Sequence, residues 1–491
     1  MPSRGTVRFV YGGRLREISA VDPTLTVLRW LREHEHKTGT KEGCAEGDCG
    51  ACTVAVGELD GDGIRYRAVN ACIQFLPTLD GKVLVTVEDL KGGDGELHPA
   101  QQAMVDTNAS QCGFCTPGFV MSLFVLGRET RTPSRPEIHD ALAGNLCRCT
   151  GYGPIIEAAA TMAATAGSAG PVDREADTIS LLRSIENDGP LAVAGGGTRY
   201  FAPRTIADLE DVLDAHPEAT ILAGGTDVGL WVTKQHRRLE TLVYLGQIDE
   251  LSRIEIEDDW TRMGAAVTYT DAFDALGRVH PDLGELTRRL GARQIRNLGT
   301  IVGNIANGSP IGDMPPALIA LDATIRLRRK GEVRDIPLED FFIAYGKQDR
   351  RAGEFVESVR FRPPRASAHF RAYKLSKRLD QDISAVCGAF LIDLEDGVVT
   401  GARICFGGMA AAPKRASKCE DFLIGKPWTE ATVSAAQEIM ETCYAPLSDM
   451  RGSAAYRMSA ARNLLMKCFV ETSTPMHQTR VLEAGEWIAH G

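Results

Sequence analysis

The stretch Cys44-Ala-Glu-Gly-Asp-Cys49-Gly-Ala-Cys52 constrains this chain more than any other. Three cysteines spaced C-x4-C-x2-C, with Gly43, Gly47 and Gly50 among them, can turn their sulfurs inward on one tight loop, and Cys72 follows 20 positions later as a fourth ligand. That is the spacing of a plant-type [2Fe–2S] site. Glycines supply the positive φ such a loop needs and let backbone N–H groups face the sulfurs. A zinc ribbon would repeat C-x2-C twice, and a disulfide framework would need an oxidising compartment.

Thirteen cysteines fall in two populations. Eight cluster at 44, 49, 52, 72, 112, 115, 147 and 149, and five, from Cys387 to Cys468, are scattered like ordinary buried thiols. A reducing cytosol suits both, so a cytoplasmic location is expected. The N-terminus alternates like a strand and predicts no secretory signal, and no apolar run approaches the about 18 residues of a membrane helix. A formal charge of −10 argues against a nucleic-acid partner. At 491 residues the chain predicts three or four domains.

Residues 1–90 read as a small mixed sheet around one helix. Thr6–Val10 and Arg14–Ile18 form a hairpin, Leu25–His34 is helical, and Thr53–Val56 and Ile64–Val69 follow the cysteine loop. Lys82–Val87 is expected to close the sheet. Residues 91–166 turn helical and hold Gln111-Cys112-Gly-Phe-Cys115-Thr-Pro-Gly and Leu146-Cys147-Arg-Cys149-Thr-Gly-Tyr152. Four more thiolates predict a second cluster, carried by two helices, with structural zinc as the alternative. Phe119–Leu126 is apolar nearly all round, hence buried, and Ser134-Arg-Pro-Glu137 predicts a capping box.

Residues 44–152 resemble the iron–sulfur half of the molybdenum hydroxylases, the xanthine dehydrogenase and aldehyde oxidase family. The motifs QCGFCTPG and LCRCTGY carry the resemblance. It implies an α+β multidomain chain beginning with a β-grasp ferredoxin-like domain and a helical-bundle domain. It further implies that Cys112, Cys115, Cys147 and Cys149 hold the cluster nearer the molybdenum, that Cys44, Cys49, Cys52 and Cys72 hold the one nearer the flavin, and that Gln111 faces the pterin. Gly153 departs from the family, where a larger polar side chain is common.

Residues 167–188 begin small and charged and are expected to be a linker. From 189 to 366 strands and glycines dominate. Ala219–Leu222 runs into Ala223-Gly224-Gly225-Thr226-Asp227-Val228-Gly229, a turn that brings backbone N–H groups to a pyrophosphate or is simply structural. The second stretch, Gly299-Thr300-Ile-Val-Gly303-Asn304-Ile-Ala-Asn307-Gly-Ser309-Pro-Ile-Gly-Asp313, is dominated by small and hydrogen-bonding residues and too short of charge for a solvated loop. Together they resemble the same family's FAD domain, a two-part fold of the vanillyl-alcohol-oxidase type, and residues 367–491 resemble its flavoprotein C-terminal domain.

The resemblance implies that Leu222–Gly229 wraps the pyrophosphate, while Thr300, Gly303, Asn304, Asn307 and Ser309 line the diphosphate and ribityl path. Asp313 would bond the flavin or its sugar, Leu290 and Val356 give apolar contacts, and Lys374 stands near the ring. A solvated charge is the alternative for Lys374, and a core tyrosine the alternative for Tyr345, which aligns with an aromatic at the nicotinamide mouth. Val302 replaces a more usual glycine.

Two clusters beside a flavin make a relay between single electrons and hydride. The span to Gly491 leaves no room for a molybdopterin domain, so the resemblance implies a separate large subunit that carries the molybdenum cofactor, commonly in an α2β2 assembly, with NAD+ as acceptor. The cluster-then-flavin order and the run YKLSKRLDQDIS look like xanthine dehydrogenases, which oxidise hypoxanthine and xanthine to urate. An aldehyde-oxidising relative and an electron-transfer module with a degenerate flavin site are the alternatives.

Overall fold

The computed structural model describes residues 3–92, 95–165, 175–186, 188–257, 259–474 and 479. It divides into two compact units, one built mainly of Met1–Asp249 with Ala292–Gly299, the other of Glu250–Gly291 with Thr300–Trp487.

In the first unit the N-terminal sheet has the order β2-β1-β5-β3-β4, from β1 (Thr6–Tyr11), β2 (Arg14–Ser19), β3 (Thr53–Asp60), β4 (Gly63–Asn70) and β5 (Val83–Val85). The expectation that Lys82–Val87 closes this sheet is corrected: β5 lies in its middle, parallel to β1 and antiparallel to β3. Val83 and Leu84, 4% and 1% exposed, suit a strand covered on both faces. The helix after β2, Val27–Arg29 continued by the π turn Trp30–His34, seats Trp30 edge-on against Phe9 and Tyr11.

Four helices follow, Pro99–Asp106, Thr116–Glu129, Arg135–Leu142 and Gly153–Thr165. Phe119–Leu126 is buried on every side, and Ser134 and Glu137 close the capping box. Residues 166–174 and 187 of the expected linker region lie outside the described residues, and its remainder holds a helix. Glu175–Ile185 is a helix that buries Leu182 and Ile185, one turn apart on a single face. A further sheet, ordered β6-β7-β9-β8, is formed by β6 (Leu191–Gly195), β7 (Thr198–Ala202), β8 (Thr220–Leu222) and β9 (Thr241–Tyr244).

The second unit holds an antiparallel sheet ordered β10-β11-β16-β12-β13 and a hairpin of β14 (Phe342–Ala344) and β15 (Lys347–Gln348). The sheet comprises β10 (Ile254–Glu257), β11 (Trp260–Gly264), β12 (Thr324–Arg329), β13 (Glu332–Pro337) and β16 (Phe355–Phe361). Its C-terminal part is the sheet β17 (Ala368–Leu375), β18 (Val386–Glu395), β19 (Val398–Gly407) and β20 (Lys414–Arg415), with the helices Ser417–Leu423, Glu430–Met440 and Ala454–Ser473. Among the described residues no helix is long and apolar enough to cross a membrane.

Candidate iron–sulfur and flavin sites

The loop from Gly43 to Cys52 winds through positive φ at Ala45, Gly47 and Gly50. That path aims the N–H groups of Glu46, Asp48 and Cys49 at Cys44 Sγ, at 3.5, 3.3 and 3.3 Å, and that of Cys44 at Cys49 Sγ at 3.3 Å. Cys52 and Cys72 close the set from the core, and Asn70 fastens the loop through Nδ2 to Gly47 O at 2.9 Å. Cys44 adjoins Cys49 and Cys72, and Cys72 adjoins Cys52. Beside Cys49 and Cys72 the Cys44 thiol is held far below its ordinary range, while Cys44 pushes Cys49 and Cys72 up. Adjoining thiols cannot all ionise without a cation among them, so this donor set fits an iron–sulfur cluster.

The second set is arranged differently from the expectation that helices carry its cysteines. Cys112 and Cys115 lie in the turn that opens Thr116–Glu129, and Cys147 and Cys149 in the loop before Gly153–Thr165. Helix N-termini favour anionic thiolates there. The N–H of Phe114, and then Cys149, lowers Cys112, whereas Cys112 raises Cys149. Burial, then Cys147, pushes Cys115 up to about 12. Burial would raise Cys147, but Thr150 outweighs it through Oγ1 at 3.1 Å and its N–H at 3.5 Å, leaving that thiol low. Among the described residues no three His, Cys, Asp or Glu converge as ligands of one metal ion. A cluster of two irons spreads its four thiolates further apart than a single ion does.

The two loops touch. Leu146 N–H donates to Cys49 O at 3.0 Å, and Asn145 Nδ2 donates to Gly50 O at 3.0 Å. Asn70, Asn145 and Thr150 escaped the sequence reading, although each stands within two or three residues of a ligand cysteine.

In the first unit, Leu222 ends β8 and Gly225 takes φ +73°. A Cβ on Gly224 would lie 1.9 Å from Leu298 O, and one on Gly229 2.5 Å from Ile73 O. The Gly229 position therefore seats the helix Val228–Thr233 against the residue after Cys72, and Lys234 reaches Glu46 at 3.5 Å.

In the second unit, Thr300 caps Ile301–Asn307 by accepting the Gly303 N–H at 2.9 Å. Val302 is 2% exposed and faces the core. Asn304 Oδ1 is buried without a hydrogen-bond partner, as an atom awaiting a polar ligand would be. Asn307 and Ser309 follow at and beyond the end of the helix, where Ser309 Oγ accepts the Ile311 N–H at 3.3 Å. Asp313 Oδ2 meets Lys374 Nζ at 2.5 Å, and its Oδ1 accepts the Ser384 hydroxyl at 2.5 Å. Lys374 is thus a buried, paired cation and not a solvated one. Val356 is 5% exposed and Leu290 half-buried. Tyr345, 74% exposed at the tip of the β14–β15 hairpin, is not a core tyrosine. Gln111 is exposed beside Cys112.

Four family models match: a 2Fe-2S iron-sulfur cluster binding domain over residues 10–76, a [2Fe-2S] binding domain over 86–160, the FAD binding domain in molybdopterin dehydrogenase over 195–364, and the CO dehydrogenase flavoprotein C-terminal domain over 371–472. Xanthine dehydrogenase of Emericella nidulans is 32% identical over 93% of this chain and 38% of its own length. Xanthine dehydrogenase 1 of Arabidopsis thaliana is 30% identical over 93% and 40%. The chain thus spans about two fifths of these relatives. Among solved structures, reconstituted CO dehydrogenase from Oligotropha carboxidovorans matches with a TM-score of 0.52 at 28% identity, covering 55% of this chain and 95% of that one. Quinoline 2-oxidoreductase from Pseudomonas putida 86 matches at 0.52 and 25%, covering 57% and 98%. Two 2Fe-2S domains, a FAD-binding domain and a flavoprotein C-terminal domain thus succeed one another along this chain, which over that span is similar to the molybdenum hydroxylase family of oxidoreductases.

Proposed function

We propose that this chain is the iron–sulfur and FAD subunit of a xanthine dehydrogenase. It passes electrons from a molybdenum cofactor on a large partner subunit to NAD+ during oxidation of hypoxanthine and xanthine, in a cytoplasmic α2β2 assembly. The observation that carries the reading is one of continuity. The loop of Cys147 bonds to the loop of Cys49, and Ile73, next to Cys72, packs on Gly229 of the Leu222–Gly229 turn. When bound, the clusters exchange single electrons and the flavin exchanges one or two, which matches one-electron carriers to hydride transfer.

The residues of this chain have separate tasks in that scheme. Cys112, Cys115, Cys147 and Cys149 would hold the entry cluster. Phe114, Leu146 and Tyr152, 48%, 41% and 37% exposed and within three residues of these cysteines in sequence, support partner docking there, with Gln111 toward the pterin. Cys44, Cys49, Cys52 and Cys72 would hold the next cluster. Leu222–Gly229 would approach the FAD pyrophosphate through backbone that carries no Cβ at Gly224. Thr300, Gly303, Asn304, Asn307 and Ser309 would bind the diphosphate and ribityl groups, Asn304 Oδ1 accepting a bond that protein does not supply. Asp313 would fix Lys374, whose charge favours electron density on the flavin ring, and exposed Tyr345 is free to stack on a nicotinamide. The degenerate-flavin reading loses its motive, because Val302 points into the core. The domains are taken as 1–90, 91–166, 189–366 and 367–491, joined by a segment that includes Glu175–Ile185.

The chain purified with its native partner is expected to show a flavin band, NADH-dependent dye reduction, and NAD+ reduction with xanthine in preference to aldehydes. Protein freshly purified without flavin would sink the dehydrogenase reading. Preference for aldehydes would move the substrate assignment and leave the electron route standing.

A further inference from the structure

Ala292–Gly299 belongs with the first unit, although the chain on both sides of it belongs to the second. Its side chains bond across both iron–sulfur parts. Arg293 pairs with Glu129 and Arg296 with Asp140, each at 2.6 Å, and Asn297 Nδ2 donates to Ala68 O at 2.8 Å. Between them Gln294 is wholly buried. Its Nε2 lies 3.1 Å from Asn145 Oδ1 and 3.3 Å from both Ser122 Oγ and Thr53 Oγ1, so two N–H groups serve three acceptors. Thr53 follows Cys52, Asn145 stands two residues before Cys147, and Ser122 lies on the helix that Cys115 opens. One amide therefore ties together both cysteine loops.

That amide also carries a liability. Its Oε1 is buried without a hydrogen-bond partner and rests on Gly144, where an added Cβ would come within 1.8 Å of it. An apolar side chain of similar size would fill the space with no orphan oxygen. Ser122 Oγ already donates to Asn145 Oδ1 at 2.7 Å and Asn145 Nδ2 to Thr53 Oγ1 at 3.2 Å, and the Gln294 amide adds a bond to each of the three, which an apolar side chain would not.

We propose that Gln294 is a positioning residue for electron exchange between the two cysteine sets, holding the loops at the separation at which Leu146 N–H reaches Cys49 O. The proposal rests on reading those sets as two [2Fe–2S] sites. In the step concerned, one electron leaves the cluster at Cys112, Cys115, Cys147 and Cys149, which is oxidised, and enters the one at Cys44, Cys49, Cys52 and Cys72, which is reduced. No bond is made or broken and no proton moves. The bonded route runs from Cys147 through the Leu146 amide to the Cys49 carbonyl, and the rate of such a step falls steeply as donor and acceptor separate.

The test uses the full chain co-purified with its native partner and kept free of air. Gln294→Leu is compared with wild type by iron content, by low-temperature EPR of the fully reduced protein, and by rapid-freeze EPR after mixing with less dithionite than the clusters can consume. Wild type and variant are both expected to hold about four irons per chain and to show two signals. In the variant the magnetic interaction between the signals weakens, and redistribution between them slows about tenfold, ~1.4 kcal/mol on the barrier. An unchanged interaction and rate with full iron overturns the proposal, even if the unfolding temperature falls. Should Gln294→Leu lose iron, Gln294→Met removes the same donors with a smaller change of shape and leaves the Ser122–Asn145 bond in place: slowed exchange with full iron then supports the proposal, and unchanged exchange overturns it. A single signal in wild type instead overturns the two-cluster reading beneath it.

Discussion

Cys52 and Cys72 are 1% and 2% exposed, whereas Cys112 and Cys149 stand in solvent. The first loop is organised by its own backbone, three N–H groups converging on Cys44 Sγ, and its two deepest cysteines belong to a core that includes Phe9, Val54 and Phe75. The second set receives backbone N–H groups of Phe114 and Thr150 as well, and adds side chains to them. Thr150 serves Cys147 Sγ, and Tyr152 OH accepts the Cys147 N–H at 3.0 Å. Hydrogen bonds to sulfur and solvent exposure are the levers that set cluster potential, and the two sites differ most in the second. The contrast separates a site built into a fold from one presented at its surface.

The largest effect should come from deleting one ligand at each site. Cys149→Ser is expected to erase one of two [2Fe–2S] EPR signals and to block xanthine-to-NAD+ turnover, while NADH-to-dye activity and the unfolding temperature survive. Cys72→Ser should erase the other signal and also lower the unfolding temperature, because a site closed by core residues contributes its binding energy to folding. Equal thermal losses would abolish the distinction between buried and presented sites, and loss of neither signal would refute the ligand assignment.

A smaller effect should fall outside both clusters. Asp313→Ala strands the Lys374 ammonium, whose side chain is 3% exposed, and breaking a buried pair in this way costs about 3–5 kcal/mol. Flavin content and the denaturant midpoint should fall while both EPR signals keep their shape. Unchanged flavin would reject the role of this pair, and an altered signal would show that the contrast between clusters is not internal to the iron–sulfur parts.

The two cysteine-bearing segments were legible because spacing and glycine content are local and survive any tertiary context. The capping box at Ser134 and the buried run Phe119–Leu126 were legible for the same reason. Other features were not local. The short apolar β5 reads alike as an edge or a centre, and only its pairing with both β1 and β3 decides. The helix Glu175–Ile185 hid behind a small, charged beginning. Two glycine turns, Ala194-Gly-Gly-Gly-Thr198 and Ala223-Gly-Gly-Thr-Asp227, look alike, yet Gly195 packs on Val21 O and Gly224 on Leu298 O. Gln294 carries no motif at all, since its acceptors lie 149 to 241 positions away in sequence.

The finest probe of the contrast is a methyl group. Gly50 and Gly113 occupy equivalent places, each within a residue or two of two ligand cysteines, and both take positive φ, +68° and +83°. Alanine at either should therefore cost about 1–2 kcal/mol of left-handed strain. At Gly113 nothing lies within 4 Å of the new Cβ, so that cost should be all. At Gly50 the Cβ would meet Gly144 O at 2.1 Å and Asn145 Nδ2 at 2.7 Å, adding roughly 1–3 kcal/mol of overpacking and prising the two loops apart. Urea midpoints of Gly50→Ala and Gly113→Ala should thus separate, and only the first variant should change the magnetic interaction between the two signals. Equal midpoints would mean that the loops do not press on one another, and that the buried site owes its order to its own backbone alone.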